Sequence, residues 1–190
     1  MEGFFVIYLV RHGLDDESYI GGHSNVDLTE IGIKQVENIG IWLKENNIKA
    51  SKIYTSDIKR AVTTSNIIGK ILNLDIIKTS ELRELDKGLL TGLKKVVAMD
   101  KYPEYVSVDK IDVRYPDGES MLDLYKRMKL LLKNIDKYDN SLLVTHRGVI
   151  NMIYVLLNGD ELTMDKEKYG VEHASVHELN LEKRKIRRIK

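Results

Sequence analysis

Two rhythms of apolar residues alternate along this chain, short continuous runs and stretches spaced by three or four. The first run, Phe4-Phe5-Val6-Ile7-Tyr8-Leu9-Val10, has strand length and no polar interruption, the pattern of a strand covered on both faces. A polar loop from Leu14 to Asp27 follows, and then Ile33, Val36, Ile39 and Leu43 recur at helical spacing to about Asn46, with Thr29 as N-cap. Residues 52–55 predict a short second strand. Ser56 or Asp57 is expected to cap a helix whose inner face is Ile58, Ala61, Val62, Ser65, Ile68 and Leu72. Residues 75–78 predict a third strand, and residues 119–138 a long amphipathic helix with Met121, Leu124, Met128, Leu131 or Leu132, and Ile135 inward. A fourth strand over 141–145 runs into a helix that buries Val149, Met152, Ile153, Leu156 and Leu157. Residues 174–181 alternate as a late strand, 182–185 turn, and 186–189 are placed to pair back.

Strand and helix alternating in this way predict an α/β fold. The expected architecture is three-layer α/β/α, with a mostly parallel central sheet, helices on both faces and right-handed crossovers. The stretch 89–118 breaks the rhythm: it holds both prolines, Pro103 and Pro116, and tyrosines at 102, 105 and 115. It reads as a cap excursion over the sheet edge rather than a core element. With 190 residues, no internal repeat and no low-complexity linker, residues 1–190 read as a single domain.

Composition narrows the function classes. Cysteine is absent, which excludes disulfides, a cysteine nucleophile and zinc-ribbon spacings, and points to a cytoplasmic setting. No leader pattern and no apolar run long enough to span a bilayer is present, so no membrane partner is expected. Thirty Lys and Arg against 29 Asp and Glu leave no global field for nucleic acid. The basic tail, Lys183 to Lys190, reads as a charged hairpin protecting a sheet edge.

The chemistry gathers where strands end. The first strand runs into Arg11-His12-Gly13, and the fourth into His146-Arg147-Gly148, so two segments deliver a His beside an Arg to the carboxyl edge of one sheet. Arg60 falls in the first turn of a helix, where an anion is already favoured, and Glu84 follows the third strand. Guanidinium forks suit phosphate oxygens, an imidazole can attack phosphorus, and a carboxyl group can protonate a departing alcohol and then take a proton from water. Such a set needs no metal or other cofactor. A zinc or iron site made of His12, His146 and a carboxylate would place a cation beside two arginines that repel it.

Taken together these stretches resemble the histidine phosphatase superfamily, the phosphoglycerate mutase-like proteins, over nearly the whole chain. Arg11-His12-Gly13 is similar to the family signature, which makes His12 the residue that becomes phosphorylated. Leu28-Thr29-Glu30-Ile31-Gly32 resembles its helix start. Ser56 to Ala61 resembles S-x-x-x-R-A, making Arg60 the second phosphate-pocket arginine beside Arg11. Leu82-Arg83-Glu84 with Gly88 and Gly92 makes Glu84 the proton donor. Gly118-Glu119-Ser120 resembles the opening of the family's long helix, and Val144-Thr145-His146 supplies the second pocket histidine. The resemblance implies phosphohistidine chemistry on a small phosphorylated metabolite, with a homodimer compatible.

Three positions depart from the family pattern. The loop after the signature is shorter and reads Leu14-Asp15-Asp16-Glu17-Ser18 where a Thr and an Asn commonly help hold phosphate. Its acids either select a substrate with a positive portion or point into solvent, and Ser18 is the nearest replacement donor. Arg147 stands where small residues are usual, and His173 where the family has Asn. His23 reads as a solvated loop residue near the site, His177 as a surface or packing residue, and Trp42 and the helical methionines as core. Only a short cap fits between Gly92 and Gly118, which favours hydrolysis over transfer back to substrate. A phosphomonoesterase is the expected activity, a cofactor-dependent phosphoglycerate mutase the runner-up, and a non-catalytic phosphate-binding regulatory protein the alternative from another class.

Overall fold

A computed structural model of the chain describes residues 6–106, 108–165 and 167–190. The strand β1 spans Val6–Arg11; Phe4 and Phe5, expected to begin it, lie outside the described residues. In chain order follow α1 (Glu30–Glu45), β2 (Lys52–Ser56), α2 (Lys59–Leu72), β3 (Ile76–Thr79), α3 (Lys95–Lys101), α4 (Pro103–Val106), α5 (Met121–Lys133), β4 (Ser141–Thr145), α6 (Arg147–Asn158), β5 (Val176–Asn180) and β6 (Lys185–Arg188). The strands form one six-stranded sheet in the order β3-β2-β4-β1-β5-β6. The first four positions are joined in parallel, and β5 and β6 are antiparallel.

Period-two side-chain alternation distributes the core between the two faces. Ile7 and Leu9 of β1, Leu143 of β4 and Leu179 of β5 pack with Leu124, Met128 and Leu131 of α5 and Val149, Ile150 and Ile153 of α6. Val10, Ile53, Leu142, Val144 and Val176 point the other way, onto Val36, Ile39 and Leu43 of α1 and Ala61 and Ile68 of α2. This is the three-layer α/β/α arrangement with a mostly parallel sheet. The basic tail forms the edge strand β6, where Arg187 pairs with Glu178 at 3.0 Å and Arg188 with Glu172 at 2.8 Å.

Local chemistry sets most boundaries. Thr29 caps α1 by accepting from Gly32 N–H, and Ser120 with Asp123 closes a capping box on α5. Four readings are corrected. The long helix stops at Lys133 and continues as a separate 3-10 turn, Ile135–Tyr138. Ile33 is exposed rather than inward, the stripe falling instead on Gly32, Val36, Ile39, Gly40 and Leu43. Neither Ser56 nor Asp57 caps α2: the N-cap is Ile58 without a side-chain bond, because the Ser56 hydroxyl is drawn to His146 and the Asp57 carboxylate to Arg83. Finally, residues 89–118 do contribute to the core, since Leu90, Ala98 and Tyr115 are buried in the cluster under α5 and α6.

Candidate active site

Strand register assembles the site. β1 and β4 lie side by side with Arg11 opposite Thr145, so the residues that leave them, His12 and His146, emerge together. His12 N–H donates to the Thr145 carbonyl at 3.0 Å, and the two ring centroids are 5.1 Å apart. The chain then turns from β1 toward α1 on one face and from β4 into α6 on the other, the divergence that opens a crevice at strand carboxyl ends. Gly13 permits the first turn, since any side chain there would run into the Gly32 carbonyl and Val36 of α1.

Arg60 reaches this pair from the first turn of α2, a turn without an acidic residue in which Lys59 and Arg60 stand against the helix dipole. Its side chain is 2% exposed. The guanidinium donates through Nε to His12 Nε2 at 3.1 Å and through NH2 to the Gly22 carbonyl at 2.9 Å. His12 Nδ1 lies 2.8 Å from the Gly13 carbonyl. A carbonyl only accepts, so the ring proton sits on Nδ1 and the Nε2 lone pair faces the crevice. Burial, with the fields of Arg60 and His146 added, lowers the His12 pKa well below the usual imidazole range, which keeps the ring neutral and nucleophilic at pH 7. His146 is lowered for the same first reason, burial, and then by Arg60. Its Nε2 lies 2.8 Å from Ser56 Oγ, which also accepts from Ile58 N–H; in the tautomer in which the Ser56 hydroxyl donates to Nε2, the His146 proton sits on Nδ1.

Beside His12, the buried Arg11 Nε and His146 Nδ1 have no hydrogen-bond partner among the described residues. Such orphans ask for a ligand, and as donors they ask for an anion. Arg11 is otherwise fixed, with NH1 donating to the Val171 carbonyl at 2.8 Å and NH2 to His173 Nε2 at 2.6 Å. Burial lowers its pKa to about 10, leaving it charged at neutral pH.

Glu84 stands across the crevice, half-buried. Oε1 accepts from Leu85 N–H at 2.9 Å and Oε2 from Gly148 N–H at 3.1 Å, which fixes the carboxylate at the start of α6. A Cβ at Gly148 would displace the carboxylate from this position. The backbone behind Glu84 is held by Arg127 of α5, which donates to the carbonyls of Arg83 at 3.0 Å and Glu84 at 3.2 Å while its guanidinium pairs with Glu119 at 3.0 Å. His23 Nε2 meets the Glu84 carbonyl at 2.9 Å from the other side. All five sequence-derived residues, Arg11, His12, Arg60, Glu84 and His146, therefore converge, and all but His146 line one cavity of about 300 Å³.

Asp15 supplies the unexpected charge. It lines the cavity rather than pointing into solvent: Oδ2 lies 3.4 Å from Arg60 Nε and Oδ1 3.6 Å from His173 Nε2. Burial would raise its pKa, but the His173 contact and the fields of His12 and Arg60 outweigh it and hold the carboxylate ionised. Since His173 Nε2 is already taken by Arg11 at 2.6 Å, the Arg60 contact is the firmer of the two. Ser18 is exposed, its N–H bonded to Asp16, and does not replace the missing loop donors. Arg147 reaches the cavity wall and pairs with Glu167 at 2.7 Å. His12, Asp15 and His173 bring potential metal-ligand atoms within 4.8 Å of one another, yet both imidazole Nε2 atoms already accept from guanidinium donors that a cation would have to displace. His23 is a loop residue bonded to backbone rather than solvated, and His177 is buried, not at the surface, between Tyr154 and Ser175.

Sequence reasoning missed the support of Glu84 by Glu119 and Arg127. Its signal was available, because the helix expected over 119–138 would put positions 119, 123 and 127 on one face; in the structure Glu119 lies just before the Ser120 cap of α5 and still pairs with Arg127.

A sequence model of the histidine phosphatase superfamily, branch 1, matches residues 7–189. The chain belongs to that superfamily. Phosphoserine phosphatase 1 of Hydrogenobacter thermophilus is 28% identical over 189 residues, which cover 94% of this chain and 88% of that protein. Human 6-phosphofructo-2-kinase/fructose-2,6-bisphosphatase 3 is 30% identical over 153 residues, 77% of this chain but 28% of that protein; the chain thus spans under a third of the length of that relative. Among solved structures, the alpha-ribazole phosphatase from Shigella flexneri superposes with a TM-score of 0.80 at 20% identity, covering 97% of this chain and 94% of that one. The superfamily fold is therefore shared throughout, and the relatives include phosphatases. Among the described residues no helix is long and apolar enough to cross a membrane.

Proposed function

We propose that this chain is a phosphomonoesterase that hydrolyses small phosphorylated metabolites through a phosphohistidine on His12. The observation that carries the reading is the His12 ring itself: neutral, with its proton tied to the Gly13 carbonyl and its Nε2 lone pair aimed into a pocket of guanidinium donors. An incoming phosphoryl oxygen would take the Arg60 N–H from Nε2 and so release the lone pair for attack. The N–P bond forms as the P–O ester bond breaks, and Glu84 gives its proton to the departing alcohol oxygen. Arg11 Nε and His146 Nδ1, both without a partner among the described residues, would donate to the equatorial oxygens together with Arg60. Water then attacks phosphorus, Glu84 takes its proton, and phosphate leaves with His12 restored. The donors are the chain's own side chains, so the scheme calls on no metal.

Residues 89–118 act in this reading as a short cap, with Lys95, Val106 and Tyr115 in the cavity wall supporting that role. A cap this small favours release of phosphate over the return of phosphate to substrate that a mutase needs. Cysteine-free composition supports a cytoplasmic setting. The direct test is turnover of 4-nitrophenyl phosphate by purified protein. Turnover should survive a chelator and be blocked by vanadate, an oxyanion that takes up the trigonal-bipyramidal geometry of phosphoryl transfer. Loss in chelator with recovery on adding a divalent ion would overturn the metal-free scheme.

A further inference from the structure

Glu84 has no helix or strand to hold it. It follows a single 3-10 turn, Ser80–Leu82, in a stretch, 83–87, whose backbone belongs to no regular element. The carbonyls of such a segment need partners from outside it, and from 81 to 84 all four have them. Thr145 Oγ1, at the end of β4, donates to the Leu82 carbonyl at 2.7 Å. Arg127 of α5 takes the other three, donating through NH1 to Glu81 at 3.3 Å and Arg83 at 3.0 Å, and through NH2 to Glu84 at 3.2 Å.

The remaining Arg127 donors go to Glu119, Nε to Oε1 at 3.0 Å and NH2 to Oε2 at 3.1 Å. These five contacts match the five N–H groups of a guanidinium. Glu119 then holds the other side of the loop: Oε2 accepts from Asp86 N–H at 3.0 Å, and Glu119 N–H donates to the Asp86 carbonyl at 2.9 Å. The pair grips the chain before and after Glu84, yet neither residue lines the cavity.

We propose that Arg127 and Glu119 are positioning residues for the proton transfers of Glu84, an inference that rests on the phosphomonoesterase reading. The Glu84 carboxylate bonds to N–H groups on two elements, Leu85 of its own loop and Gly148 at the start of α6. It therefore meets a leaving oxygen only while loop and helix keep one register. α5, which shares a core cluster with α6, sets that register through Arg127. Misplacing a reacting group by about 1 Å can cost on the order of a hundredfold. The phosphoryl-holding side chains hang instead on β1, α2 and the end of β4, so the frame built by Arg127 serves the acid and not the anion pocket.

The test compares kcat/KM for an alkyl phosphate and for 4-nitrophenyl phosphate, which in the proposed scheme covers the steps up to departure of the alcohol. Arg127→Lys keeps the positive charge whose field reaches His146, but offers three donors where five are used. It should lower the alkyl value roughly tenfold or more and the nitrophenyl value by less than about threefold, the mark of impaired general-acid catalysis. In a Glu84→Gln background the same substitution should change the alkyl value by less than about twofold, because the carboxyl it acts through is already gone. Glu119→Gln, isosteric with the parent, should show the same split to a smaller degree and keeps the test open if Arg127→Lys fails to fold. Slowing of both esters alike, or full multiplication of the two losses in the double variant, would overturn the inference while leaving Glu84 as the acid. A Glu84→Gln protein that shows no split between the esters would refute the acid assignment and this inference with it, and a parent that turns over neither ester would refute the enzyme reading itself.

Discussion

Arg60 and His12 share one hydrogen bond, Nε to Nε2 at 3.1 Å, and through it the helix that follows β2 controls the lone pair delivered by β1. Arg60 also sits against the dipole of its own helix and carries Asp15 on its Nε. A local rule broken in a buried, fully engaged position marks a residue kept for its chemistry. Arg60→Lys keeps the charge but loses the fork. It should lower kcat/KM on the order of a hundred- to a thousandfold, equally for nitrophenyl and alkyl phosphates, since the arginine acts on the phosphoryl group whatever leaves. A loss confined to one class of leaving group would contradict this.

Glu84 gives the opposite signature. A general acid matters for a poor leaving group such as an alkoxide and little for a nitrophenolate that departs unprotonated. Glu84→Gln should therefore slow alkyl phosphates roughly a hundredfold more than nitrophenyl phosphate. The same carboxylate would activate the attacking water, so a burst of nitrophenol followed by a slow steady state is expected in stopped-flow traces. Alkyl turnover unchanged in Glu84→Gln, but abolished in Asp86→Asn, would place the acid elsewhere.

Asp15 puts a carboxylate oxygen 3.4 Å from Nε of the Arg60 guanidinium, which the proposed scheme uses to hold phosphate. Two like charges competing for Arg60 weaken the binding of any oxyanion. Asp15→Asn should lower the inhibition constants of phosphate and vanadate at pH 7 by roughly tenfold or more, the scale expected of one removed charge at this separation in a partly screened site. Unchanged or weaker inhibition would mean that Asp15 serves to position Arg60 instead.

Stability should respond to acid through His177. This side chain is buried on β5 between the Tyr154 hydroxyl and Ser175 Oγ, each at 2.9 Å, and burial followed by the nearby Arg188 lowers its pKa to about 4. Unfolded, it titrates near 6.5. The unfolded chain thus binds a proton that the native fold refuses, and stability is present above about 6.5 and lost as pH falls toward 4. The shift corresponds to roughly 3 kcal/mol at most. His12 and His146 are lowered too and act in the same direction. Thermal unfolding of His177→Gln should lose less stability between pH 7 and 4 than the parent, and a parallel decline would refute the linkage.

Much of this site was legible in sequence because strand ends carry it: an apolar run stopping at Arg11-His12 and another at His146 needs only strand adjacency to bring the two rings together. Helix positions followed from periodicity, and α1 began at its predicted cap. What stayed hidden depends on partners far apart in the chain. The Asp15 carboxylate turns inward because Arg60 and His173 meet it there. Ser56 serves His146 rather than its own helix. Nor could α3 and α4, with seven and four residues, show a helical period.

If His12 forms a bond to phosphorus during turnover, that bond can be trapped. The protein should be mixed briefly with an excess of labelled phosphate ester, quenched in base, and assayed for protein-bound label before and after acid. A phosphoramidate survives base and is lost in acid, so the account predicts acid-labile, base-stable label at about one per chain at most, absent from His12→Ala. Label retained in His12→Ala, or label stable to acid, would contradict it.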